Sequence, residues 1–119
     1  MADIMVKAAY ASVVEDPEDG FLFVGFAEGE HEDEAYVLLR QAIGGGPVWF
    51  ELGDEAFGAE DALSLATLGA GGLEFTLRPE KAAKFGYAAT VSVDLTQCED
   101  KDEALAALRD MLGPVWQGA

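Results

Sequence analysis

The stretch FLFVGFAEGEHEDEAYVLLRQ, residues 21–41, decides how this chain is read. Two apolar runs flank EGEHEDE, seven residues holding five acids, one glycine and His31, the chain's single histidine. FLFVGFA is short and rich in aromatic and β-branched residues, too apolar for an exposed element, and reads as a buried strand. AYVLLRQA is ambiguous by period alone. Its Tyr36 and Val37, and its position after a hairpin-like acidic loop, make it a second strand.

Working outward, Ile4 to Val14 (IMVKAAYASVV) reads as one strand, and EDPEDG (15–20) as a turn marked by Pro17 and Gly20. GGGP (44–47) is a loop, VWFEL (48–52) a strand, and GDEAFGAEDA (53–62) a polar, glycine-bearing loop of about ten residues. LSLATL and LEFTLR form a hairpin joined by GAGG (69–72), where glycine tolerates the positive φ of a tight turn. Leu73, Phe75 and Leu77 alternate with Glu74, Thr76 and Arg78, the period of a strand with one wet face. PEKAAKFG supplies a short helix near 79–85, with Pro79 at its first position and Gly86 as its cap. ATVSVDL is another alternating strand, with Val91, Val93 and Leu95 on one side. In the last element, Asp100 and Glu103 read as a capping box, and Leu105, Leu108, Leu112 and Val115 recur at helical spacing. That gives a C-terminal helix near 101–112, stopped by Gly113-Pro114. The fold class is α+β: one domain over 1–119, mainly antiparallel sheet, with the terminal helix packed on one face.

Charge narrows the function classes. The chain carries 23 acids and seven Lys or Arg, a net of −16. Residues 1–61 hold 15 of the acids and only Lys7 and Arg40, a net of −13; residues 62–119 hold eight acids and five bases, a net of −3. Phosphate backbones and anionic membrane surfaces are repelled by such a balance. A basic partner is attracted, because a one-signed surface accelerates encounter by roughly ten- to a thousandfold at low salt. No apolar run approaches the ~20 residues of a membrane span, and the N-terminal stretch, with acids at both ends, does not read as a signal peptide. The single cysteine, Cys98, excludes an internal disulfide and a Cys-rich zinc site. The expected compartment is the cytoplasm.

Catalytic marks are few. There is no G-x-S-x-G elbow, and Ser12, Ser64 and Ser92 each fall within a strand. A Cys98–His31 pair has no sequence support. Carboxylates abound, but a general acid needs burial or an apolar wall to raise its pKa, and EGEHEDE is polar throughout. The same loop lacks EF-hand spacing. Glu30, His31 and Glu34 lack an identifiable third fixed ligand, so neither a metal nor a cofactor is expected. GAGG has no following helix N-terminus and no lysine, and reads as a turn. Trp49 and Phe50 read as core; Trp116 reads as a staple of the helix onto the sheet, or as an exposed anchor.

Gly25-Phe26-Ala27-Glu28, the acidic loop 29–34 and Tyr36-Val37-Leu38-Leu39-Arg40 together resemble the Imm10 (immunity protein 10) family of bacterial polymorphic-toxin systems. LEFTLRPEKAAKFG resembles that family's strand and short helix; TVSVDL and the leucine-spaced helix resemble its end. The likeness spans roughly residues 5–112 and is one of pattern and element order. It implies a non-enzymatic protein encoded beside a toxin, which it neutralises by direct binding inside the producing cell. It supplies no contact residues.

The residues themselves suggest those. A nuclease toxin is basic where it holds nucleic acid, and carboxylates can stand in for phosphates there. The expected partner-binding residues are therefore Glu28, Glu30, Glu32, Asp33 and Glu34, with Glu15, Asp16, Glu18 and Asp19 as a second cluster. Were the first two strands a hairpin, the clusters would lie at opposite ends of it. The alternatives are a non-enzymatic interaction domain, dimerising through an exposed strand edge, and a carboxylate-dependent hydrolase.

Overall fold

The computed structural model describes residues 3–29, 34–54 and 56–117. The chain is α+β, with two sheets of mostly antiparallel strands and one C-terminal helix. In chain order the strands are β1 (Ile4–Lys7), β2 (Tyr10–Asp16), β3 (Phe21–Ala27), β4 (Tyr36–Ala42), β5 (Trp49–Leu52), β6 (Gly58–Glu60), β7 (Leu63–Leu68), β8 (Gly72–Leu77) and β9 (Thr90–Asp94); α1 is Lys101–Leu112. Strands β2-β3-β4-β5-β6 form a five-stranded antiparallel meander. Strands β1-β9-β8-β7 form a four-stranded sheet in which β1 lies parallel to β9.

The expected single strand over Ile4–Val14 is two strands in different sheets. Its break falls at Ala8-Ala9: Ala8 N–H donates to Asp94 O of one sheet (3.0 Å), and Ala9 N–H donates to Ala27 O of the other (2.8 Å). Two small residues let the chain cross over while each peptide stays paired, Ala8 being buried. The stretch expected as a loop over 53–62 contains β6. This three-residue edge strand is too short and too rich in glycine and acid to show a period.

Between the sheets lies one hydrophobic cluster. Val24, Phe26, Val37, Leu39 and Phe50 face Phe75, Val91 and Ala66, all fully buried. Phe50 packs against Phe75 (ring centroids 5.2 Å apart) and Phe85 (5.7 Å), tying β5 to β8 and to the segment after it. Each such side chain contributes about 2–3 kcal/mol by leaving water. The alternation in β8 and β9 is as expected, with Leu73, Phe75, Leu77, Val91, Val93 and Leu95 inward.

Residues Pro79–Phe85 form a 3-10 helix with Pro79 in its first turn and Gly86 in the left-handed region as its cap. Helix α1 buries Ala104, Leu108, Met111 and Leu112 against β2 and β3, beside their inward Ala11, Val13 and Leu22. It thus covers the part of the five-stranded sheet's inner face that the other sheet leaves. The expected capping box does not form. Asp100 adopts φ 57° and its side chain caps no N–H, because the chain enters the helix directly from the turn after β9. Trp116 is a staple: it bridges to Ala66 on the β7 edge, where Gln117 N–H donates to Ala66 O (2.8 Å).

Candidate functional site

In β3 the residues of one parity, Leu22, Val24 and Phe26, point to the core, leaving Phe21, Phe23, Gly25 and Ala27 on the outer face. Register extends that face across the sheet. One row is Tyr10, Ala27 and Tyr36; the next is Ser12, Gly25, Leu38, Glu51 and Gly58. A third is Val14, Phe23, Arg40, Trp49 and Glu60, and the last is Asp16, Phe21 and Ala42. Among the described residues no helix covers these rows, since α1 lies on the opposite face. Tyr10 and Val14 are about half exposed (47% and 52%), and Phe21, Phe23, Leu38 and Trp49 are half-buried. FLFVGFA is therefore a central strand that is apolar on both faces, only one of which is in the core.

Arg40 is the sole cation on this face. Its guanidinium carbon lies 5.1 Å from the ring centroid of Phe21 and 5.1 Å from that of Trp49, one from the strand on each side. It has no ion pair among the described residues. Each aromatic contact offers about 0.5–1 kcal/mol and fixes a side chain that otherwise roams. Trp49 is held in turn. Its Nε1–H donates to Glu51 Oε1 (2.9 Å), and Tyr36 O–H donates to Glu51 Oε2. The indole lies over Gly58, where a Cβ would come within 2.2 Å of Trp49 Cζ2. Glu51 is 7% exposed and is the sole buried acid among the described residues, with both oxygens engaged by donors. Through these bonds it holds two aromatic side chains in place.

The expected contact residues fall at the two ends of this face. Glu15, Glu18 and Asp19 are exposed around the β2–β3 turn. Asp16 is half-buried on the outer face and accepts the Asp19 N–H through Oδ1 (3.2 Å). Glu28 is exposed beyond the far end of β3, its Oε2 accepting the Lys7 N–H (2.8 Å). Glu34 is half-buried, with Oε2 enclosed and lacking a hydrogen-bond partner among the described residues. Glu30, Glu32 and Asp33, and with them His31, lie outside the described residues. The seven residues of β3 separate the described members of the two clusters by about 20 Å, so these make no single patch. They bracket the aromatic face from opposite ends.

Elsewhere, Asp94 accepts the Thr96 N–H (2.9 Å) and O–H (2.7 Å), and these bonds hold its carboxyl below the usual range. Cys98 is buried, and its burial pushes the thiol pKa up, away from nucleophilic use. Among the described residues no group of three His, Cys, Asp or Glu is placed to hold a metal ion, and no helix is long and apolar enough to cross a membrane. What the sequence reading missed is the aromatic face. Its signals were the lack of alternation in FLFVGFA and the isolation of Arg40, the only base between Lys7 and Arg78. Compared with known proteins, the chain matches no family model, no curated protein and no solved structure.

Proposed function

We propose that this protein is an immunity-type inhibitor that neutralises a basic protein toxin by binding over it, with the outer face of the five-stranded sheet as the docking surface. The observation that carries this reading is the uncovered aromatic face between two acidic ends. A binding surface needs an apolar centre for lasting affinity and a charged rim for orientation and encounter rate. Here Phe21, Phe23, Leu38 and Trp49 supply the centre. Carboxylates at 15–19 and at 28 and 34 supply the rim. Trp49 and Arg40 suit the role of anchors, because their neighbours already fix them and little side-chain freedom is lost on binding. The resemblance to the immunity protein 10 family supports the same reading.

The test is co-expression with the product of the adjacent gene, followed by co-purification and an assay of that product's toxicity. Capture together with loss of toxicity is expected, with affinity falling as salt rises from low to physiological levels. A neighbouring product that neither co-purifies nor loses toxicity overturns the immunity reading. Concentration-dependent self-association abolished by Trp49→Ala would assign the face to dimerisation instead.

A further inference from the structure

A second binding feature lies away from the aromatic face, at the open edge of the four-stranded sheet. Among the described residues strand β1 pairs with β9 alone. Ala8 N–H points to Asp94 O, so by alternation Ile4 and Val6 also pair toward β9, and Met5 and Lys7 turn their peptide groups outward. The Lys7 N–H is taken by Glu28; the Met5 N–H and C=O remain on the edge. Beside this edge is an apolar groove of about 310 Å³, lined by Ile4, Val6, Tyr36, Leu52, Phe57 and Phe85 among others. Met5 (56% exposed) and Phe57 (52%) stand at its margins, and Tyr87, 82% exposed and held at φ 63°, follows Gly86 of its lining.

We infer that this groove and edge accept an extended, basic segment of a partner protein as an added strand beside β1. Main-chain pairing at Met5 would set the register, and alternate apolar side chains would enter the groove. Charge selects the occupant. Glu28, exposed, stands at the Lys7 end, and Asp54, also exposed, follows Gly53 of the lining. Lysine or arginine on the segment's solvent side would meet these carboxylates. A second copy of this chain suits the edge poorly, because each copy carries a net of −16.

A blocked octapeptide alternating lysine and valine tests this by amide NMR and hydrogen exchange on the full chain. The expected result is saturable shifts at Met5, Gly53 and Phe57 and about tenfold slower exchange of the Met5 N–H. The same peptide N-methylated on one edge keeps its charge but cannot pair, and should bind at least about tenfold more weakly. Phe57→Asp should weaken binding, whereas Phe21→Ala, at the far end of β3, should leave it unchanged, which separates this site from the proposed toxin-binding face. Equal binding of the N-methylated peptide, shifts spread over all acidic segments, or no shifts at millimolar peptide would each overturn the inference. So would dimerisation through β1 in the peptide's absence.

Discussion

The two sheets present outer faces of opposite character. On the four-stranded sheet the outward rows run Met5, Ser92, Glu74 and Thr67, then Lys7, Asp94 and Gly72, with Thr90, Thr76 and Leu65 beyond. That face is mostly polar, with Met5 and Leu65 its apolar members. On the five-stranded sheet the corresponding positions hold Tyr10, Val14, Phe21, Phe23, Leu38 and Trp49. Among the described residues no helix covers either face, so burial within the fold does not explain the difference. An antiparallel sheet with one solvated face ordinarily alternates apolar and polar residues, as β8 and β9 do. Where β3 and β5 keep apolar residues on the solvent side as well, the proposed docking of a partner on that face supplies a physical reason. Contiguous apolar surface with a charged rim is uncommon on a free-standing domain.

The largest effect that could break this contrast is on affinity. Trp49→Ala should cost at least about 2 kcal/mol of binding to the co-purifying partner, roughly thirtyfold in Kd, since a fixed aromatic anchor is lost. Thr76→Ala, at the matching position on the polar face, should change Kd less than about threefold. Isothermal titration on both variants decides the matter, and equal losses would mean that the aromatic face is not the docking surface.

Next in size is a stability contrast between two glycines. At Gly58 an added Cβ falls 2.2 Å from Trp49 Cζ2, whereas at Gly71 nothing lies within 4 Å. Gly58→Ala should push the indole off its seat, break its bond to Glu51 and cost about 1–3 kcal/mol. Gly71→Ala should be neutral or stabilising by a few tenths of a kcal/mol. Urea titration with Trp fluorescence would show the difference in midpoint and emission. An unshifted Gly58→Ala midpoint would mean that Trp49 is not seated as described.

How much of this was legible beforehand follows from where each residue's partners lie. Strands β8 and β9 could be read from their own period because only one of their faces is apolar. The terminal helix could be read because Leu108 and Leu112 mark its buried stripe and Gly113-Pro114 its stop, although Met111 and Ala104 complete that stripe unseen. The crossover at Ala8-Ala9 was hidden, because a change of sheet leaves the local apolar pattern continuous and is fixed only by remote partners, Asp94 and Ala27. The aromatic face was hidden for a related reason. A continuous apolar run such as FLFVGFA does not say whether one or two of its faces enter a core. The acidic clusters were visible as composition; their placement at opposite ends of β3 needed the hairpin register.

A smaller effect concerns the rim. Glu18→Lys with Asp19→Lys should slow association several-fold while leaving dissociation nearly unchanged, since exposed rim charges steer more than they hold. The slowing should fade as salt rises toward physiological strength, where screening acts within about 8 Å. Stopped-flow association at two ionic strengths reads both numbers. A change confined to dissociation would place these acids within the contact rather than around it.

The smallest effect tests the polar face on its own terms. Asp94 is half-buried on this face, and the Thr96 N–H and O–H hold its carboxyl below the ordinary value of 3.8. A carboxyl whose folded pKa is lowered binds its proton less readily folded than unfolded. Its contribution to stability is therefore fully present above the unfolded value and is lost as pH falls through the folded one. Asp94→Asn should lower stability slightly and evenly at neutral pH and flatten the acid-side decline below about pH 4 relative to the parent. Thermal melts from pH 2 to 7 on the parent and on Asp94→Asn compare them directly. Parallel acid limbs for parent and Asp94→Asn would show that the Thr96 contacts do not discriminate between the charged and neutral carboxyl. The polar face would then owe its acids to solvation alone, which widens its contrast with a face whose one buried carboxylate, Glu51, is built into the support of Trp49.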